Sequence, residues 1–289
     1  MAWGFSRQTR SGLLMVSPPF LYAVALLAVP LGAIIMFSFW TQDYLTLVTT
    51  PTLDNYREAY EEPLYGLLLQ RSLLISASVT LVTVILAFPI AYFVSFHVRP
   101  ERKSLWLFLI TIPFWTSYLI RAFLWRVILG FNGVVNSTLM GLGIIDEPLT
   151  FILYNANAVV ITLAHAFAPF AILPIFVALE RIDRSLLEAG RDLGETRLMT
   201  FWRVTLPLAM PGVVAAVLIV FIPTIGDYVT PELVGGPNGL MIANMIQTQF
   251  LRLNNAPMGA ALAVIAMLSV SFIAVLFIWL NRKFLRVKQ

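Results

Sequence analysis

Asp227, Tyr228 and Glu232 place two carboxylates and a phenol within six residues, at the end of an apolar run punctuated by Pro223, Gly226 and Pro231. Residues of these types hold or neutralise a cation. Backbone broken by proline and glycine at the edge of an apolar run is tolerated in a membrane only where it is buried in protein or lines a watery cavity. A second group lies over a hundred residues earlier, where Trp115, Tyr118 and Arg121 stand in another apolar run. An arginine at the centre of a membrane helix costs roughly 2.5–3.5 kcal/mol on insertion scales, so Arg121 calls for an anion. Asp227 or Glu232 can be that anion in a purely structural ion pair, and Trp115 and Tyr118 can equally belong to an interfacial aromatic belt.

Other chemistry finds little footing. The chain has no cysteine, which excludes disulfides and thiolate metal sites, and its only histidines are His97 and His165. Neither has a partner at a metal-ligand spacing, so both read as structural, and no metal site is expected. No G-x-x-x-x-G-K-[ST] phosphate loop is present, so the chain is not its own ATPase. G-x-S-x-G and H-E-x-x-H are absent too, and no catalytic residue is assigned.

These residues must be positioned by membrane helices. Of 289 residues, 59% are hydrophobic and 12% charged, against about 25% charged in a soluble domain. The net charge of +4 does not indicate nucleic acid, because the basic residues form short clusters between apolar runs rather than one stripe. About 20 apolar residues cross the bilayer as a helix. Six such runs predict spans over 13–40, 73–96, 105–129, 151–179, 208–224 and 259–280, in one all-α membrane domain covering 1–289. The first run follows Arg7 and Arg10 but exceeds the 7–15 residues of a signal-peptide core, so it reads as an uncleaved helix. Pro30, Pro89, Pro113, Pro169 and Pro174 fall inside the runs and kink helices.

Orientation follows from Lys and Arg. The N-terminal tail, the loop with Arg99, Arg102 and Lys103, the loop from Arg181 to Arg203 and the C-terminal tail together hold 14 of the 19 basic residues. All lie on one side, which predicts cytoplasmic termini. The opposite loops are acidic, with Asp43, Asp54, Glu58, Glu61, Glu62, Asp146 and Glu147. There, 55–62 is either a contact surface for another protein or a solvated loop, and 240–253 is either an outer helix beside the mouth that touches another protein or a loop helix buried against the bundle.

The loop 180–207 is too polar for lipid. Glu188 to Leu193 predicts a short helix, Gly194 a left-handed residue that ends it, and Thr196 the cap of a second helix running toward Pro207. Helix, glycine corner and helix make a knob that another protein can grip and push.

This loop resembles the EAA loop of ABC importer permeases, E-A-A-x3-G-x9-I-x-L-P. Glu188, Ala189, Gly194, Leu206 and Pro207 match in register, with Gly190 for the second alanine and Val204 for the isoleucine. The chain also resembles the polyamine (spermidine/putrescine) permeases over nearly its full length. The matching stretches include Ser17-Pro18-Pro19-Phe20, Leu53-Asp54-Asn55-Tyr56, Ile112-Pro113-Phe114-Trp115-Thr116-Ser117-Tyr118-Leu119-Ile120-Arg121, and the run from Ile222 to Pro237.

The resemblance implies the type I importer permease (MetI-like) fold in a bacterial inner membrane. It implies a second, non-identical permease, two ATP-binding cassette subunits that use the ATP, and a periplasmic solute-binding protein. The 180–207 loop would then be the coupling helix that docks on the ATPase. A polyamine is a flexible polycation, and its path needs carboxylates for the ammonium groups and aromatic faces for cation–π contact. On that implication Asp227, Tyr228, Glu232, Trp115 and Tyr118 border the path. Related permeases for other small solutes share much of the pattern. An ion-coupled secondary transporter would be expected to show more ionisable groups inside its spans, or an inverted repeat, and a membrane enzyme would need paired catalytic groups.

Overall fold

Without water to satisfy the backbone, the apolar runs must pair every N–H and C=O internally, and helices do so within one segment. The computed structural model describes residues 7–44 and 46–285 and is helical almost throughout. Arg286 and Lys288, used above for orientation, lie outside the described residues, as do the side chains of Arg7 and Arg10.

The helices run in order α1 (Arg7–Ser38), α2 (Asp54–Glu61), α3 (Pro63–Phe96), α4 (Pro100–Thr111), α5 (Tyr118–Ile128), α6 (Val134–Gly141), α7 (Ala156–Glu180), α8 (Arg184–Asp192), α9 (Arg197–Thr200), α10 (Leu206–Ile225), α11 (Gly236–Gly239), α12 (Ile242–Leu251), α13 (Ala256–Leu280) and α14 (Arg282–Leu285). A two-strand hairpin, Thr41–Asp43 with Thr46–Val48, follows α1. Asn55 donates to the carbonyls of Ser38 and Trp40 at 3.0 and 2.6 Å, tying the end of α1 to α2.

Helices α3, α7 and α10 form the centre of the bundle. Val79, Leu163, Ile175, Leu179 and Val220 fill the space between them. A second cluster, with Leu68, Phe221, Ile225, Met258 and Leu262, joins α3 and α10 to α13. Where α10 crosses α7, Gly212 has no room for a side chain, because a Cβ there would collide with Ala178 and the Pro174 carbonyl. Among the described residues helix α1 packs mainly along α13, and none of its most apolar stretch is buried. That is the pattern of a helix whose surroundings are lipid or another chain.

Among the described residues five helices are long and apolar enough to cross a membrane, six if one bent pair is counted as a single span. The boundaries shift from those expected. The second span begins at Pro63, ten residues earlier than the hydropathy suggests. Glu62 accepts from the Leu64 N–H and Pro63 takes the first turn, so the helix starts before its apolar stretch does. The fourth starts at Ala156, where the Asn155 side chain caps the amides of Asn157 and Ala158.

The third span departs most. It is not one helix over 105–129 but two arms bent by 86°. Helix α4 tightens into a 3-10 turn over Ile112–Trp115, and Thr116 and Ser117 are extended before α5 begins. Pro113 supplies no amide and favours an extended residue ahead of it, and the 3-10 turn relieves the crowding at the cost of direction.

Candidate functional site

At one end of the bundle the helix–corner–helix takes the form expected. Helix α8 is a turn longer than predicted, because Asp183 caps it by accepting from the Ser185 N–H at 3.0 Å. The hydrogen bonds from Ser185 hold the Asp183 carboxyl below its ordinary range, so the cap stays charged. Gly194 sits at φ +87°, its N–H donating to the Arg191 carbonyl at 2.9 Å while the Glu195 N–H donates to Gly190 at 3.1 Å. This is a left-handed helix stop that a residue with a Cβ adopts only under strain. Thr196 caps α9 through the Met199 N–H, and Arg203 pairs with Glu195 at 2.9 Å across the corner.

Gly190 is buried against Thr200. A Cβ there would lie 3.4 Å from the Thr200 methyl, ordinary contact, so alanine fits the same place. Ala189 is exposed. Glu188 lies with Arg184, Leu187 and Arg191 on one face of α8, at the i, i+3, i+4, i+7 spacing. That face lines a cavity of about 330 Å³ shared with His97 and Arg197. His97, expected to be structural, stacks on Phe93.

The corner is fastened to the bundle. Lys103 pairs with Glu180 at 2.6 Å, Ser95 donates to the same carboxylate oxygen, and Arg184 donates to the Ser95 carbonyl. Its second arm is continuous with the fifth span. Helix α9 passes through a π-turn over Phe201–Thr205 directly into α10, where Leu206 and Pro207 open the helix. Pro207 contributes no N–H to this helix, and the π-turn lies directly before it. Arg197–Ile225 is thus one rod of 29 residues, about 43 Å long at 1.5 Å per residue.

The far end of that rod carries the second site. Gly226 closes α10, and Asp227 follows. Its Oδ1 accepts from the N–H groups of Val229 and Thr230 at 3.0 and 3.4 Å, and its Oδ2 accepts from the Tyr118 hydroxyl at 2.5 Å. Tyr118 stands at the start of α5, just past the break in the third span. The break therefore aims Tyr118 across the bundle. Tyr118 and Asp227 line a cavity of about 290 Å³ with Arg121, Phe167, Phe170 and Pro223.

The remaining candidates lie elsewhere. Trp115 is 76% exposed and packs edge-on against Phe108, outside the cavity. The 3-10 turn directs its neighbour Phe114 inward instead, edge-on to Phe170 at 4.4 Å. Glu232 pairs with Arg252 at 2.9 Å. Tyr228 is exposed, and only its carbonyl is engaged, accepting from Asn244 at 2.8 Å. The expected ion pair of Arg121 with Asp227 or Glu232 is not formed. No ion pair among the described residues includes Arg121, because each carboxylate has taken other donors. Phe114, Phe167, Phe170 and Thr230 were not foreseen. Phe167 and Phe170, three apart and flanking Pro169, were the available signal. The 240–253 segment forms α12, which packs on α13 and α3 and buries Ile242, Ala243, Asn244 and Gln249.

Comparison with known proteins adds an independent line. Residues 11–286 match the family described as binding-protein-dependent transport system inner membrane component. The spermidine/putrescine transport system permease protein PotB of Haemophilus influenzae is 36% identical, over 85% of each chain. PotB of Escherichia coli is 39% identical, over 80% of this chain and 83% of its own. Among solved structures, a bacterial alginate ABC transporter in complex with alginate pentasaccharide-bound periplasmic protein matches with a TM-score of 0.73 at 18% identity, over 97% of both chains. That likeness speaks to the fold.

Proposed function

This chain belongs to the family of binding-protein-dependent transport system inner membrane components, and from that premise we propose that it is one permease subunit of an ATP-driven polyamine importer. It is a multi-pass inner-membrane protein with the MetI-like permease fold. Its cargo is spermidine or putrescine, the solutes named for its relatives at 36–39% identity. It works with a second permease, two ATP-binding cassette subunits and a periplasmic binding protein, and its termini face the cytoplasm. It holds no cofactor and catalyses no reaction itself, and its partners use the ATP.

One observation carries the mechanism: the corner at Gly194 and the carboxylate of Asp227 flank the two ends of a single helix. Closure of the ATP-binding subunits pulls the knob formed by α8 and α9. Because Arg197–Ile225 is continuous, the displacement travels to Asp227 along one helix. The site there suits an ammonium group, with a carboxylate fixed by backbone amides and the rings of Phe167 and Phe170 on the cavity wall. Alternating access follows if nucleotide and loaded binding protein favour different arrangements of this rod.

The test is reconstitution of the four-component complex in proteoliposomes, with ATP inside and labelled spermidine on the binding protein outside. ATP-dependent accumulation of spermidine or putrescine is expected. Accumulation of a neutral or anionic solute with neither polyamine would overturn the cargo, and accumulation without ATP would overturn the importer.

A further inference from the structure

Arg121 carries a charge that the rest of the chain leaves unanswered. Its Nε and Nη1 are buried without a hydrogen-bond partner among the described residues. Its immediate surroundings are aromatic, with the guanidinium carbon 5.6 Å from the Phe114 ring centre and 5.9 Å from that of Tyr118. Ring faces answer part of a cation, but a guanidinium has five donors to satisfy. Leaving these donors unpaired is costly, and an acceptor brought within their reach would be bound.

An acceptor stands in the same cavity. The two oxygens of Asp227 are not equivalent. Oδ1 is fixed by two backbone amides, whereas Oδ2 is held by one neutral donor, the Tyr118 hydroxyl. That hydroxyl also lies 2.5 Å from Thr230 Oγ1, so it keeps a partner if it gives up Oδ2. Oδ2 is therefore the exchangeable position. A charged donor binds a carboxylate roughly twice as strongly as a neutral one, so either an ammonium or a guanidinium displaces the tyrosine.

We propose that Arg121 is a resident competitor for Oδ2 of Asp227: the cargo's ammonium displaces the Tyr118 hydroxyl, and the Arg121 guanidinium later displaces the ammonium and releases it. This rests on the polyamine reading, since it needs a cationic cargo. A carboxylate that binds an ammonium by a charge-assisted bond releases it more readily when a second cation takes its place. Arg121 is on α5 and Asp227 at the end of the α10 rod, so rotation of the rod alters their separation while both helices stay intact. The enclosure of Nε and Nη1 favours an acceptor inside this chain over a carboxylate from a second permease.

The experiment uses the complete complex in proteoliposomes and reads two quantities. One is ATP-driven uptake of labelled spermidine, and the other is labelled spermidine retained on the washed complex. Arg121→Gln is expected to cut uptake about tenfold while raising retention, the ratio one charge-assisted bond commands over a neutral one. Arg121→Lys, which keeps the charge, recovers uptake in part, and Asp227→Asn loses both uptake and retention. Unchanged uptake and retention in Arg121→Gln overturns the competition, as does lost uptake without a rise in retention, the signature of a purely structural arginine. Should Arg121→Gln fail to assemble, Arg121→Lys decides, and lost uptake at unchanged retention overturns the proposal. Absence of polyamine uptake by the wild-type complex removes the functional reading and this inference with it; wild-type uptake with either overturning result removes this inference alone.

Discussion

The Tyr118 hydroxyl donates to Oδ2 of Asp227 at 2.5 Å, joining residues 109 positions apart in the chain. The contact exists because the third span breaks before Tyr118 and the fifth ends before Asp227, so two irregular segments meet at one cavity. Irregular backbone at membrane depth is expected where a cavity is lined. Around Asp227 the donors are neutral groups, the Tyr118 hydroxyl and two backbone amides, rather than a resident cation.

Asp227→Asn removes that charge while preserving shape. Spermidine uptake is expected to fall by at least about tenfold, the scale of one charge-assisted hydrogen bond. Assembly and basal ATP hydrolysis stay near wild type. Uptake assays beside size-exclusion profiles of the complex check this, and loss of assembly with no separate transport defect would return Asp227 to a structural role.

Gly194→Val forces a β-branched residue into φ +87°. The left-handed conformation costs an ordinary L-residue about 1–2 kcal/mol, so the corner relaxes by shifting α8 against α9. The expected result is ATP hydrolysis that the loaded binding protein no longer stimulates, with the binding protein's own affinity for solute unchanged. Gly194→Pro should act more strongly, since it also deletes the N–H that donates to Arg191. Normal uptake in Gly194→Pro would count heavily against a coupling role.

Glu188→Lys places a fourth cation in the cavity lined by Arg184, Arg191 and Arg197. Arg184 and Arg191 lie one turn either side on the same face of α8 and Arg197 stands on α9, so like charges strain α8 and push it from α9. Uptake should fall with stable expression, and more so at low ionic strength, because screening relieves the repulsion. Uptake measured at two salt concentrations separates this from simple loss of a docking contact.

Gly212→Ala puts a methyl group into Ala178 and the Pro174 carbonyl at the α7–α10 crossing. Overpacking of this kind costs typically about 1–3 kcal/mol, so the thermal unfolding midpoint of the purified complex should drop. Gly66→Ala is the control, because nothing lies within 4 Å of a Cβ there, and it should not lower the midpoint.

Apolar runs made five spans and the corner legible, because a bilayer demands long unbroken helices and loop 180–207 is too polar to be one. Gly194 and Thr196 were legible for local reasons: a left-handed stop and a side-chain cap depend on neighbours in sequence. The bend at Pro113 was not, since most prolines in membrane helices kink them by far less. The inward turn of Phe114 and outward turn of Trp115 depend on that bend, and adjacent aromatics look alike in sequence. Hydropathy shows that Arg121 needs an anion, yet not that Asp227 and Glu232 have each found other donors. Tyr118 and Asp227 emerged together because both flank a proline- or glycine-marked interruption.

Coupling requires that an ATP-binding subunit grip the corner at Gly194. The chain has no cysteine, so Leu193→Cys, 85% exposed beside Gly194, gives this chain a single thiol within the full complex. A short thiol-directed crosslinker is expected to join it to the ATP-binding subunit, with reagent access from the cytoplasmic side alone. Labelling from the periplasmic face of intact spheroplasts, with no crosslink to any other polypeptide, would contradict the account.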